Sequence, residues 1–330
     1  CLEGASITAA ATNEARRVAD TPANISTPTD FAQRAEKLAE AEGLACKIIG
    51  EAGMKELGME AILAVSQGSA QEAKMICLEY RHSEANKTLA MVGKGLTFDA
   101  GGISLKNAAG MMLMKYDKCG GTSVLGAMSA IAKLKPAVNL IAVIPCSENV
   151  MGSNAYKPGD VIGSHSGKTI EICNTDAEGR LILADALSYT VQTYQPDAMV
   201  NLATLTGAVV AALGRGGSAV AGTCDSLCQD IVKAGAEVDE LLWQMPIWDV
   251  HEELLQSAYA DLVNCKEGGE ASLAQGYTFL KQFVGETNWA ALDIAGTSWK
   301  YRGGDYIKGE GASGFGVRTL VQWVQSASEA

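Results

Sequence analysis

Short apolar runs alternate along this chain with amphipathic stretches. The runs Ala45–Ile49, Ala61–Val65, Met75–Tyr80, Thr88–Val92, Val138–Ile144, Thr169–Cys173, Ala198–Leu202 and Trp289–Ile294 predict strands. Between them the pattern predicts helices over Ile7–Ala19, Pro28–Glu42, Gly121–Leu134, Arg180–Tyr194, Leu227–Leu242, Ala271–Val284 and Gly316–Val324. Thr27 before Pro28 has the form of an N-cap followed by the first helical residue, and Gly43 marks the stop. Strands and helices in alternation build a sheet covered on both faces. The expected fold is therefore α/β, a three-layer α/β/α architecture around a mixed, largely parallel central sheet.

Glycine concentrates in three stretches, Gly93–Gly110, Gly214–Gly222 and Tyr301–Gly316. Tight connections account for glycine of this density, but two of the three loops follow predicted strands, where open α/β sheets bind ligands. The charge balance narrows the ligand class. Lys and Arg number 26 against 38 Asp and Glu, a formal net charge of −12, and the cations are scattered, which argues against nucleic acid. The longest apolar runs, such as Leu140–Pro145, are too short to span a membrane, and the first residues lack the pattern of a signal peptide. No initiator Met is present, so a fragment or a processed product is expected. The nine cysteines show no C-x-x-C pair, Cys224 and Cys228 coming closest, and are expected to be reduced thiols in the cytoplasm.

Three segments carry chemistry. VGKGLTFDAGGISLK, from Val92 to Lys106, puts Lys94, Asp99 and Lys106 on a loop directly after a strand. Met114-Lys115-Tyr116-Asp117 brings a second carboxylate to the entrance of the helix near Gly120, and NTDAEGRL, Asn174 to Leu181, adds Asp176, Glu178 and Arg180 at another strand-to-helix junction. Taken alone, the last segment also fits a helix cap, with Asp176 accepting backbone bonds and Glu178 complementing the dipole. Four carboxylates converging in a desolvated cleft need a cationic partner, and two divalent metals would balance them. Gly93-Lys94-Gly95-Leu96 does not supply the spacing of a phosphate-binding loop. His82, His165 and His251 lie outside all three segments.

Val92–Lys106, Met114–Asp117 and above all NTDAEGRL closely resemble the signature segments of the leucine aminopeptidase (cytosol aminopeptidase) family. Ser147–Val161, Ala203–Ala208, Trp289–Gly296 and Gly311–Leu320 support the resemblance, which extends from about Ala9 to the C-terminus. It implies a two-metal enzyme that removes the first residue from peptides with a free N-terminus, with some preference for Leu or another apolar residue. Lys94, Asp99, Asp117 and Glu178 would hold one ion and Asp99, Asp176 and Glu178 the other, zinc or manganese first, cobalt or magnesium as alternatives. Lys106 would polarise the scissile carbonyl, and Arg180 would anchor a bicarbonate acting as general base. Met114, Asn174, Thr204, Leu205, Gly207 and Ala295 would bind substrate, with Ser298 at a pocket position more apolar in some relatives.

The same resemblance implies a homo-hexamer built as a dimer of trimers. The family's separate N-terminal domain is expected to be missing, which leaves one catalytic domain over residues 1–330 with a linker helix in its first twenty. Two other readings compete with a peptidase: a two-metal phosphoesterase, which commonly adds His ligands, and a scaffold on this fold that has lost catalysis. A DNA-binding role, known for some relatives, is opposed by the acidic balance.

Overall fold

The computed structural model describes residues 2–266, 268–303 and 310–329. Its strands are β1 (Ala45–Gly50), β2 (Lys74–Tyr80), β3 (Thr88–Gly93), β4 (Gly95–Asp99), β5 (Asn139–Asn149), β6 (Val161–Ile162), β7 (Ile170–Glu171), β8 (Ala198–Ala203), β9 (Ser218–Gly222), β10 (Leu242–Gln244), β11 (Leu262–Val263) and β12 (Asn288–Asp293). The helices are α1 (Leu2–Asp20), α2 (Pro28–Glu42), α3 (Glu51–Glu56), α4 (Glu60–Ser66), α5 (Cys119–Leu134), α6 (Gly179–Tyr194), α7 (Ala208–Leu213), α8 (Asp225–Glu237), α9 (Ser272–Lys281) and α10 (Val317–Glu329). Nine strands form one sheet in the order β1-β2-β5-β3-β8-β12-β9-β10, with β4 beside β5. The centre, β5-β3-β8-β12, is parallel, whereas β1, β2 and the β12/β9 junction pair antiparallel. The expected three-layer α/β/α architecture with a mixed, largely parallel sheet is what forms.

The apolar runs explain the layering. A strand buried on both faces needs no polar alternation, and β3 and β8 are enclosed along nearly their whole length. Side chains pointing to one face, such as Met91, Leu202 and Leu292, pack with α1, α2, α5, α8 and α10. Those pointing to the other, such as Val92, Met199 and Ala291, pack with α4, α6 and α9. The Thr27 hydroxyl accepts the Asp30 amide at 3.2 Å, and Gly43 ends α2 in the left-handed region at φ 69°, as the sequence predicts.

Several expectations need correction. Ala61–Val65 is not a strand but the body of α4, because the Ile62 amide is held by the Asp185 carboxylate at 2.9 Å and the segment packs on α6. Thr169–Cys173 contributes only the two residues of β7, in a separate sheet ordered β11-β7-β6. The helix expected over Leu227–Leu242 stops at Glu237, where Asp239 takes a positive φ of 58° and the chain re-enters the large sheet as β10. β4, β9 and β10 were hidden in glycine-rich or short segments. Within the Tyr301–Gly316 stretch, residues 304–309 lie outside the described residues.

Candidate metal centre

The chemistry collects at the carboxyl ends of the parallel strands, where an open sheet leaves a crevice. Lys94 follows β3, Asp99 closes β4, Asp117 ends a 3-10 turn over Met111–Lys118, and Glu178 stands at the entrance to α6. Lys94 is fully enclosed: its Nζ lies 2.8 Å from Glu178 Oε1, 2.8 Å from Asp117 Oδ2 and 3.1 Å from the Thr204 carbonyl. Gly179 makes that placement possible. A Cβ there would stand 2.5 Å from Lys94 Nζ, so only glycine lets the lysine pass under the start of the helix. Lys106 reaches in from the loop after β4, with its Nζ 2.7 Å from Asp99 Oδ2 and 2.5 Å from Asp176 Oδ1. Gly101 turns that loop at φ 88°, and a Cβ on it would meet Asp176 Oδ1 at 2.9 Å.

Four carboxylates thus face two ammonium groups, which leaves the cluster with excess negative charge. Burial and the neighbouring carboxylates raise Asp99 and Glu178, with Lys94 and Lys106 pulling the other way. Burial, followed by the charge of Asp99, pushes Asp176 up to about 6 against the pull of Lys106. Burial alone would lower Lys94, but Asp117, Glu178 and Asp99 outweigh it and the ammonium is held above its ordinary range. Ligand oxygens of Asp99, Asp176 and Glu178 all lie within 4.8 Å of one another, and Glu178 Oε2 is buried without a hydrogen-bond partner. A converging set of hard oxygens with one left unsatisfied fits a divalent cation.

Asn149 and Asn264, which the sequence does not single out, and Thr204, expected to bind substrate, hold these groups in place. Asn149, at the end of β5, donates from Nδ2 to Asp99 Oδ1 and to the Thr175 carbonyl, both at 2.9 Å. The Thr204 hydroxyl donates to Asp117 Oδ1 at 2.6 Å, which places Thr204 against a metal-site carboxylate. Asn264, beyond β11, is fully buried and clamps the NTDAEGR segment. Its Oδ1 accepts the Cys173 amide at 2.8 Å, its Nδ2 donates to the Asn174 carbonyl at 2.7 Å, and its own carbonyl accepts Arg180 Nη1 at 2.7 Å. Arg180 is buried, its Nε lacks a partner, and burial lowers its pKa. The only sequence signal for Asn264 was a polar residue ending an apolar pair, too common to single out. His82, His165 and His251 bond to Glu84, Ser188 and Trp248, and to nothing in the cluster among the described residues.

The catalytic domain of the cytosol aminopeptidase family matches residues 13–321. The chain belongs to the cytosol aminopeptidase family. It is 47% identical over 313 residues to a probable cytosol aminopeptidase of Desulforapulum autotrophicum, and 48% identical over 311 residues to one of Vesicomyosocius okutanii. These alignments take in 95% and 94% of this chain but 61% and 63% of those proteins, so the chain spans less than two thirds of the length of the curated relatives it matches. The fold agrees. The structure of the bottromycin maturation enzyme BotP superposes with a TM-score of 0.91 at 36% identity, over 98% of this chain and 70% of that one. BotP in complex with Mn gives 0.93 at the same identity, over 98% of this chain and 71% of that one.

In this member of the cytosol aminopeptidase family the cluster opens into a cleft of about 630 Å³. Asn174, Leu205 and Gly207 line it together with Asp176 and Arg180. Met114 is half-buried on the 3-10 turn that carries Asp117, Thr204 is turned toward Lys94 and Asp117, and Ala295 packs against the core with its amide on Asp293 at 3.1 Å. Ser298 is buried and spends its hydroxyl on the Ile294 carbonyl at 2.5 Å, inside the turn that follows β12.

Proposed function

We propose that this chain is the catalytic part of a metal-dependent aminopeptidase that releases the first residue of peptides. One observation carries the reading: the carboxylates of Asp99, Asp176 and Glu178 converge within 4.8 Å, with one Glu178 oxygen buried and unpartnered, beside two lysines. Lys94, Asp99, Asp117, Asp176 and Glu178 would hold two divalent ions, zinc or manganese. When bound, such ions supply Lewis acidity and lower the pKa of water.

The chain's own residues divide the remaining tasks. A cleft bordered by excess carboxylate attracts the α-ammonium group of a peptide N-terminus, and an internal or blocked peptide bond offers no such cation. Lys106 is about a quarter exposed and reaches the carboxylates of Asp99 and Asp176 from a loop, so its ammonium group stands where negative charge would develop on the scissile carbonyl oxygen. Arg180 stands at the first turn of α6, where helix amides and a guanidinium together favour an anion; bicarbonate, which could carry a proton, is the one we assign. Asn174, Leu205 and Gly207 border the space for the first side chain. Peptides are the substrates in this reading, a hexamer in the cytoplasm is the working form, and Leu is the first residue to be tried.

The experiment compares Leu-containing peptides with free and N-acetylated termini in protein loaded with manganese or zinc. Release of leucine from the free peptide alone is expected. Equal rates on both would overturn the aminopeptidase reading, and elemental analysis of the same sample reports how many ions the chain holds.

A further inference from the structure

Two cysteines stand in the wall of the cleft, and neither has a task in the chemistry proposed above. β7 and β11 run parallel with Ile170 opposite Leu262 and Glu171 opposite Val263. The Asn264 amide extends that ladder by donating to the Glu171 carbonyl at 2.9 Å. The backbone ladder ends there: the Cys173 amide turns to the Asn264 side chain, donating to Oδ1 at 2.8 Å, so Cys173 and Cys265 lie just beyond the last paired residues of the two strands. Both cysteines line the same cleft as Asp176 and Arg180. Where they are still paired the two strands lie roughly 4.8 Å apart, inside the range of about 4.4–6.8 Å between Cα atoms that a disulfide bridges, and Cys265 follows Asn264, the last residue bonded across the ladder. Both residues are half-buried, so a small oxidant entering the cleft reaches them.

No other pair among the described residues has this arrangement. Cys46 faces Leu78 and Cys77 faces Lys47 in the β1/β2 register, so strand alternation sends those two sulfurs to opposite faces. Cys224 and Cys228 are four apart at the start of α8, where Cβ atoms stand about 5–6 Å apart, beyond what a disulfide spans. Cys119 and Cys146 are enclosed in the core.

We propose that Cys173 and Cys265 form a redox-active dithiol that hydrogen peroxide closes into a disulfide across the wall of the cleft. One sulfur attacks the peroxide oxygen, the O–O bond breaks, and water leaves a sulfenic acid. The second sulfur then displaces the sulfenic oxygen as a second water while the S–S bond forms. The two thiols are oxidised by two electrons, the peroxide is reduced to two waters, and both thiol protons end in them. The bond would tie the strand that leads into NTDAEGR to the one that carries Asn264. Any effect on turnover rests on the aminopeptidase reading; the disulfide itself does not.

The test is a non-reducing peptide map by mass spectrometry of the full chain after a brief pulse of hydrogen peroxide. Expected is a peptide containing Cys173 joined to one containing Cys265, two hydrogens lighter than the separate pair and split by dithiothreitol. Cys265→Ser and, separately, Cys173→Ser should abolish the joined peptide and leave the remaining cysteine as a sulfenic acid trapped by dimedone. Independent oxidation of the two cysteines in the parent protein, or no reaction at either while exposed Cys46 is oxidised, would overturn the proposal. No peptidase assay enters the map, so a failed map and a failed aminopeptidase reading are told apart.

Discussion

Glu178, at the entrance to α6, and Asp293, at the end of β12, are both buried carboxylates, and they are satisfied in opposite ways. Asp293 accepts four hydrogen bonds, from the amides of Leu205, Thr206 and Ala295 and from the Thr206 hydroxyl, so both of its oxygens are occupied. Burial lifts it to about 6, and those four bonds hold the shift down. Glu178 has one oxygen on Lys94 and the other on nothing, with three further carboxylates around it. A carboxylate that serves architecture is saturated by fixed donors. One kept unsaturated among like charges is held by the fold for something that arrives later.

The largest expected effect tests that contrast directly. Glu178→Gln should reduce release of N-terminal residues by about 10³, the scale of removing one member of a catalytic unit, and lower the metal content seen by elemental analysis. In chelator-treated protein the same substitution should leave stability to urea within about 1 kcal/mol of the parent, because a repelled charge has been removed. Asp293→Ala should instead cost about 3 kcal/mol with or without metal, since it leaves buried amides without an acceptor. Equal destabilisation by both substitutions in the absence of metal would erase the distinction.

The two lysines sharpen it next. Lys94 is sealed between Asp117, Glu178 and a carbonyl, whereas Lys106 bridges Asp99 and Asp176 from a loop and stays about a quarter exposed. Lys106→Ala should lower kcat by about 10²–10³ with metal content unchanged, as expected for loss of one donor to a developing oxyanion. A lost ion, or a raised KM with kcat intact, would make Lys106 a ligand or a simple binding residue.

The site was more legible than the frame around it. Lys94, Asp99, Asp117, Asp176 and Glu178 sit at strand ends and helix entrances, and dense charge next to glycine stands out in one dimension. Asn149 and Asn264 act through hydrogen bonds to residues distant in sequence, and nothing in their neighbours marks them. The central strands were readable because burial on both faces makes them continuously apolar. Ala61–Val65 was misread for the same reason: five apolar residues are too few to reveal a period, and the contact with Asp185 that fixes α4 comes from α6.

Asp185 extends the comparison to pH. It is buried away from the cluster and accepts the amides of His165 at 2.8 Å and Ile62 at 2.9 Å. Burial nevertheless raises it from 3.8 to about 7, with Glu60 adding to the rise. A carboxyl whose pKa is higher folded than unfolded favours the fold while protonated, so its contribution is complete below about 4 and is lost as pH rises toward 7. Between pH 5 and 8 that loss should be about 2–3 kcal/mol. His165, lowered by burial, works in the opposite direction as pH rises through its ordinary 6.5. Urea denaturation of the parent and Asp185→Asn at both pH values isolates the carboxyl: the difference in stability between the two proteins should change by about that amount, and an unchanged difference would show that Asp185 does not titrate in the fold.

The smallest effect belongs to Asn264, which resembles Asp293 in being saturated but stands next to the machinery. Its side chain takes over the strand pairing at Cys173 and Asn174, and this frees its own carbonyl to hold Arg180. Asn264→Ala keeps that carbonyl and removes the side-chain clamp, so the backbone from Cys173 onward loosens while Arg180 keeps a partner whose position is less well fixed. We expect kcat to fall about tenfold, with a loss of stability of about 1–3 kcal/mol from the unpaired amides. Stability alone does not separate a positioning role from a structural one, and a double-mutant cycle does. If Asn264 acts by placing Arg180, then adding Asn264→Ala to Arg180→Ala should lower kcat far less than it does in the parent, because the group being placed is already gone. Full additivity of the two losses in kcat would mean that Asn264 supports the loop for its own sake and that the link from its carbonyl to Arg180 has no part in turnover.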